Sequence, residues 1–328
     1  YGGRMKLQYK NFRLDGEYIQ KEQDPSLDNG KIYNFGHAAV VNFGYSKKGI
    51  GFSLSAKSVD NMSYRSDRNK ELQDVFINYL PALNKTHTYN LVATLYPYAT
   101  QPLGEVAYQA DFLYTIKKGS KLGGKYGMGV LANFSNVFAI DKQQINDSTQ
   151  ISTSGTLGYT SDFFKVGDEK YFQEFSIELS KKVTKKLKII GSYINTEYNS
   201  AAIVGYKYSG MIYASIFVLE TQYKIKSKHS IRTEIQHLST KQHEGNWVMA
   251  LAEYTISPHY FFALQNLYNY GNDGKKLNYP TLSAGYNKGT SRFALSYGKQ
   301  RAGIFCVGGV CRNVPASNGL SLNITSSF

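Results

Sequence analysis

The chain ends Gly319-Leu320-Ser321-Leu322-Asn323-Ile324-Thr325-Ser326-Ser327-Phe328. In an extended strand, Leu320, Leu322, Ile324 and Phe328 fall on one face, and Ser321, Asn323, Thr325 and Ser327 on the other. Only Ser326 interrupts the apolar row. Period-two alternation marks a strand with one apolar and one polar side. A soluble edge strand reads the same way in isolation, so the preceding residues must decide what the apolar face meets.

Composition narrows the choice. The chain of 328 residues holds 28 Tyr and 18 Phe, too many aromatics for disorder, and only 19% of its residues are charged. No apolar run of about 18 residues exists, which excludes membrane-spanning helices but not strands. A transmembrane strand needs only about 9–11 residues, half of them facing a polar interior. The net charge is +14, yet the basic residues stand singly in strands or in turns such as Ser46-Lys47-Lys48-Gly49. Without a compact basic helix, nucleic acid is not an expected partner.

Alternation recurs along the whole chain. Phe52, Leu54 and Ala56 oppose Ser53, Ser55 and Lys57; Tyr108, Ala110, Phe112, Tyr114 and Ile116 oppose Gln109, Asp111 and Lys117. Further strands are expected over 75–79 and 89–95, and residues 141–168 read as the longest irregular region. The count is about 17 strands of membrane-spanning length. Their connections alternate strictly. Short ones lie near residues 11, 47, 83, 121, 184, 228, 257 and 289, and long ones near 27, 66, 100, 155, 203, 242, 274 and 309. Short turns on one side and long loops on the other are the pattern of outer-membrane barrels. A soluble sandwich has no need of it, and no repeat supports a propeller.

The expected fold is therefore all-β: one antiparallel transmembrane β-barrel domain over residues 1–328. The terminal Phe328 suits it, since bacterial barrels typically close with a last strand ending on Phe. Tyr45, Tyr79, Tyr96, Tyr114, Tyr193, Tyr223 and Tyr254 are candidates for the interfacial girdles. Parity orients the strands. Phe328 falls on the short-turn, periplasmic side, and Met5 begins on the extracellular side. Barrels with even strand number and both ends periplasmic then predict about 18 or more strands, the first upstream of Tyr1.

Several segments carry a family resemblance: Lys57-Ser58-Val59-Asp60-Asn61-Met62-Ser63-Tyr64-Arg65-Ser66-Asp67-Arg68-Asn69, residues 77–115 with Tyr96-Pro97-Tyr98-Ala99-Thr100-Gln101-Pro102, residues 119–127, and Cys306-Val307-Gly308-Gly309-Val310-Cys311-Arg312-Asn313-Val314-Pro315. Together they resemble an uncharacterised outer-membrane β-barrel family of Bacteroidota, marked by the cysteine loop and the terminal Phe. The resemblance implies a signal peptide, further upstream sequence and a place in the bacterial outer membrane. It carries no known activity, so no functional residues transfer.

The chemistry is read from the residues alone. Cys306 and Cys311 enclose Val-Gly-Gly-Val and are a candidate disulfide in an oxidising compartment. The six histidines form no metal motif, and no Gly-x-Ser-x-Gly nucleophile motif is present. Neither an enzyme nor a cofactor is expected. Lys57, Asp111, Lys117, Glu174, Glu178, Glu220, Lys224, Arg232 and Glu234 are expected on the interior face. Charges of both signs fit a wet channel wall or an interior filled by paired charges and a plug. The leading expectation is a passive channel or transport pore. The alternative is an occluded structural barrel acting as a subunit of a larger assembly. Expected partners are outer-membrane lipid and lipopolysaccharide, with other outer-membrane proteins or lipoproteins as candidates.

Overall fold

A computed structural model describes every residue except 71–74, 206–209, 273, 275, 308–309 and 328. The first strands are β1 (Gly2–Tyr9), β2 (Phe12–Lys21), β3 (Gly36–Lys47), β4 (Ile50–Asp60) and β5 (Gly104–Ile116). They continue through β6 (Met128–Gln143), β7 (Thr160–Lys182), β8 (Leu187–Asn199), β9 (Met211–Lys226) and β10 (His229–Thr240). The last are β11 (Trp247–Ile256), β12 (Tyr260–Asn269), β13 (Leu277–Lys288), β14 (Ser291–Gln300), β15 (Gly303–Val307), β16 (Val310–Val314) and β17 (Ser317–Ser326). Two short helices, α1 (Asn90–Leu95) and α2 (Ser200–Val204), interrupt them.

Each strand from β1 to β14 pairs antiparallel with the next, and β17 joins β14, giving one 15-stranded sheet. Short turns have the required backbone; in Lys48-Gly49 between β3 and β4, Gly49 has φ of +83°, which glycine adopts without strain. The all-β antiparallel fold stands as expected, but the alternation of short and long connections is not strict. Among the described residues no turn near residue 83 joins two strands, and the β5–β6 connection, 117–127, is longer than those over 241–246 and 270–276.

Three further expectations are corrected. Residues 75–79 and 89–95 add no strands to the sheet; the second holds α1 instead. Leu91 and Leu95 fit both period two and the i, i+4 spacing of a helix, and a short apolar run cannot separate the two readings. Residues 141–168 are strand at both ends, because β6 and β7 overrun their neighbours and leave 144–159 irregular. Residues 303–314 form a separate two-stranded hairpin rather than a plain loop.

The sheet is also not a closed barrel: β1 and β17 are its two edges. With 15 antiparallel strands in chain order, both edges run from the long-loop side to the short-turn side. They point the same way, so the antiparallel pairing used throughout the sheet is not available between them.

The sheet nevertheless curls. Helix α1, about 9 Å long, packs on β10 and β11. It shares one cleft with Glu174 of β7 and another with Thr281 of β13 and Gln300 of β14. Flat, the strands from β7 to β14 would be roughly 34 Å wide at about 4.8 Å spacing. Only a sheet wrapped around α1 brings both margins to it.

The sheet buries charged residues beside apolar ones on its inner face and exposes apolar residues on its outer face. Lys57, Glu105, Glu174, Glu220, Glu234 and Glu253 are buried on the inner face. Leu54, Phe112, Phe134, Phe217, Leu219, Ile235, Leu264, Leu282 and Leu295 are exposed on the outer face. The terminal strand follows suit, with Leu320, Leu322 and Ile324 at 70%, 63% and 58% exposure. Phe328 lies outside the described residues.

Trp247 reports on the inner face. It is the single tryptophan, buried, with Tyr279 6.2 Å away and the Arg301 guanidinium 5.4 Å over its ring. The folded protein in detergent should show blue-shifted indole emission and weak acrylamide quenching. A red-shifted, freely quenched tryptophan would contradict this packing.

Candidate functional site: a chain segment packed against the charged face

Between β4 and β5 the chain leaves the sheet and folds back across its inner face. Helix α1 is too short to hold itself, and its N-cap residue, Tyr89, makes no side-chain cap bond. The sheet supplies one: the Leu91 backbone N–H donates to Oε1 of buried Gln236 at 2.9 Å. Apolar contacts fix the flanks. Tyr96 lies 5.6 Å from Tyr198, and Tyr98 stacks on Phe172 at 4.9 Å. Leu91, Val92 and Leu95 join a core with Ile194, Ile216, Leu238, Met249 and Leu251.

Hydrogen bonds to charged side chains of the sheet fasten the segment at both margins. Lys57 Nζ lies 2.7 Å from Glu105 Oε1 and donates to the Pro81 carbonyl at 2.6 Å and Thr100 Oγ1 at 2.7 Å. Glu105 Oε2 accepts from the Tyr98 hydroxyl at 2.5 Å and the Gln101 N–H at 2.7 Å. Across the segment, His87 Nε2 lies 2.7 Å from Glu174 Oε1, and Lys85 lies 3.9 Å from Glu178. Burial pushes the Tyr89 phenol up to about 12. Burial, with Glu105 alongside, holds the Tyr98 phenol well above its usual range. Both stay neutral hydroxyls at any physiological pH.

The cysteine hairpin presses on α1 from the other side. Phe305 is buried against the same core. Gly303 has φ of +127°, and a Cβ there would meet Thr94 Cγ2 at 2.6 Å. A larger residue would push the hairpin off the helix. The register sets Cys306 opposite Cys311; their side chains lie outside the described residues.

Most of the charges assigned to the interior from the sequence lie on the same sheet face as Glu105. Asp111 accepts from Ser53 Oγ at 3.2 Å and Asn133 Nδ2 at 2.7 Å. Arg232 pairs with Glu220 at 3.2 Å and with Glu234, joining three predicted residues in one network. Lys57, Glu174 and Glu178 hold the segment, and Lys224 lies near the short-turn rim. Lys117 falls one residue beyond β5, exposed in the turn rather than on the strand's inner face. Of the predicted girdle, Tyr96 is buried within the segment and Tyr79 lies outside any strand.

Sequence reasoning missed His87, Tyr98, Glu105 and Gln236. Lys85 and His87 sat in a stretch read as a turn, and Tyr98 in a stretch read as a loop. Only the inner-face parity of Glu105 and Gln236, shared with Lys57, pointed to them.

Removing one partner from the most buried pair tests this arrangement. Lys57→Ala leaves Glu105 charged, buried and uncompensated, at a cost of about 3–5 kcal/mol. The double replacement Lys57→Met with Glu105→Leu should recover most of that loss in urea unfolding monitored by Trp247.

No curated protein matches the chain. A family of unknown function (DUF6029) matches it over residues 1–328, from the first strand through the packed segment to the end of the last, and the chain belongs to that family.

Proposed function

We propose that the chain forms the wall and the plug of a bacterial outer-membrane β-barrel, serving as an occluded, non-enzymatic subunit of a larger assembly. The exposed apolar outer face carries the membrane placement. A band of exposed Leu, Ile and Phe is costly in water and at rest in lipid. On β9, Tyr213 and Tyr223 bracket Phe217 and Leu219 on the outer face. Their separation of ten residues (213 to 223) is about 33 Å along a strand, or roughly 24 Å across a bilayer at 45° tilt, which fits the apolar band of a barrel. Lipid and lipopolysaccharide would contact this belt.

The packed segment favours occlusion over free diffusion. It is held by buried hydrogen bonds to Lys57, Glu105 and Glu174 and by aromatic contacts, with the cysteine hairpin behind it. A passive pore is the second reading, favoured by a polar cleft of about 540 Å³ at the short-turn end of the inner face. Planar-bilayer recording separates the two. The intact protein should show no steady conductance, and replacing residues 81–98 by a short Gly-Ser linker should open one. Steady conductance from the intact protein would defeat the occluded reading.

In this setting we also infer a Cys306–Cys311 disulfide, because the hairpin register sets the two residues directly opposite each other and the compartment is oxidising. Mass spectrometry should detect alkylation of both thiols only after reduction. Labelling without reductant would refute the bridge.

A further inference from the structure

The short-turn rim of the inner face collects lysines that the packed segment does not use. Lys182 and Lys188 stand directly opposite each other across β7 and β8, and Lys224 lies on the same face of β9. The β7–β8 and β9–β10 turns add Lys185, Lys186 and Lys228. All six line the cleft of about 540 Å³, with Glu253 as its single acidic lining residue. Arg232 also lines it, but its guanidinium is held by Glu220 and Glu234.

Like charges set opposite each other on a sheet destabilise it, and nearby acids normally relieve them. Here, among the described residues, none of the six lysines lies in an ion pair. Two of the heads are steadied without being neutralised. Lys186 Nζ donates to the Ile225 carbonyl at 3.1 Å, and Lys182 lies 5.6 Å from the centre of the Tyr126 ring. A walled concavity with this much uncompensated positive charge concentrates anions. Ammonium groups act as point charges, and several converging on one space favour a compact, multiply charged anion over a single carboxylate.

We propose that this cleft is a binding site for phosphate-bearing anions, with Lys182, Lys188 and Lys224 as its main contacts. The phosphate can come from a soluble phosphate compound. It can also come from an anionic lipid headgroup, because Leu187, Tyr223 and Ile231 at the cleft margin border the apolar outer face. The site depends on the lysines and the local register, not on closure of the sheet or on the occluded reading.

The test uses the full chain folded in dodecyl maltoside, titrated with pyrophosphate by calorimetry. Binding should weaken as salt rises. It should fall at least tenfold in the triple variant Lys182→Gln, Lys188→Gln, Lys224→Gln. A control with the same charge loss elsewhere at this end of the sheet, Lys47→Gln, Lys48→Gln, Lys121→Gln, should bind like the parent. Trp247 emission confirms folding of each variant. A parallel arm measures binding to phosphatidylglycerol vesicles against phosphatidylcholine vesicles. Tighter binding to the first, lost in the triple variant, assigns a lipid source; pyrophosphate binding alone assigns a soluble one. No binding in either arm, or equal loss in both lysine variants, overturns the site. Bilayer conductance is read separately, so failure of the pore or plug reading leaves this result standing.

Discussion

Buried charge must be paired, and that requirement ties this molecule together. The inner face carries Lys57, Glu105, Glu174, Glu220, Glu234 and Glu253, all nearly inaccessible. An isolated ion in such a place costs several kcal/mol. The sheet answers part of the need itself, through Arg232 between Glu220 and Glu234. Lys57 and Glu105 pair with each other, and residues 78–101 add His87 to Glu174, backbone and hydroxyl acceptors to Lys57, and Tyr98 to Glu105. The segment and the face depend on each other: without the segment the charges lose partners, and without the face α1 loses its Gln236 cap and its core.

The same logic explains how much was legible in the sequence. Where a strand has one apolar side, as in Leu320, Leu322 and Ile324 or Phe112 and Tyr114, alternation specifies both its existence and its orientation. A slip of one residue would invert every side chain, so the pattern has to be clean. The inner-face assignments of Glu174, Glu178, Glu220, Arg232 and Glu234 follow from that parity alone. The segment across the face obeys no such rule. Tyr89, Leu91, Ala93 and Leu95 alternate like a strand, yet their partners come from strands far apart in the chain. Their helical form depends on Gln236, some 145 residues away, and no local pattern records that. The direction of the edges was legible by a different route: counting connections already sets the first and last strands running the same way, as β1 and β17 do.

The long-loop side is bound by a different set of contacts. Asp60 accepts from the Tyr159 and Ser161 hydroxyls, both at 2.5 Å, joining β4 to the start of β7. Arg68 pairs with Asp24 at 2.7 Å and Arg65 with Asp28 at 3.2 Å, so the 61–70 stretch is tied to the β2–β3 loop. Ile32 packs beneath with Val106, Ile140 and Tyr159. Burial and the adjacent Asp60 carboxylate raise the Tyr159 phenol far above its normal range, so it remains a donor. Loops that would otherwise be mobile are held down by one another.

The two ends of the inner face therefore differ in kind. At the long-loop end, acids and bases occur together and neutralise each other across loops. In the middle, carboxylates are met by the packed segment and by Arg232. At the short-turn end, lysines gather with little acid near them. This gradient follows from the connections. Long loops have the length to reach across and supply counter-charges, whereas the short β7–β8 and β9–β10 turns hold their lysines close to the strand ends. Charge left unpaired by short turns is thus confined to one rim, and there it meets solvent rather than the packed interior.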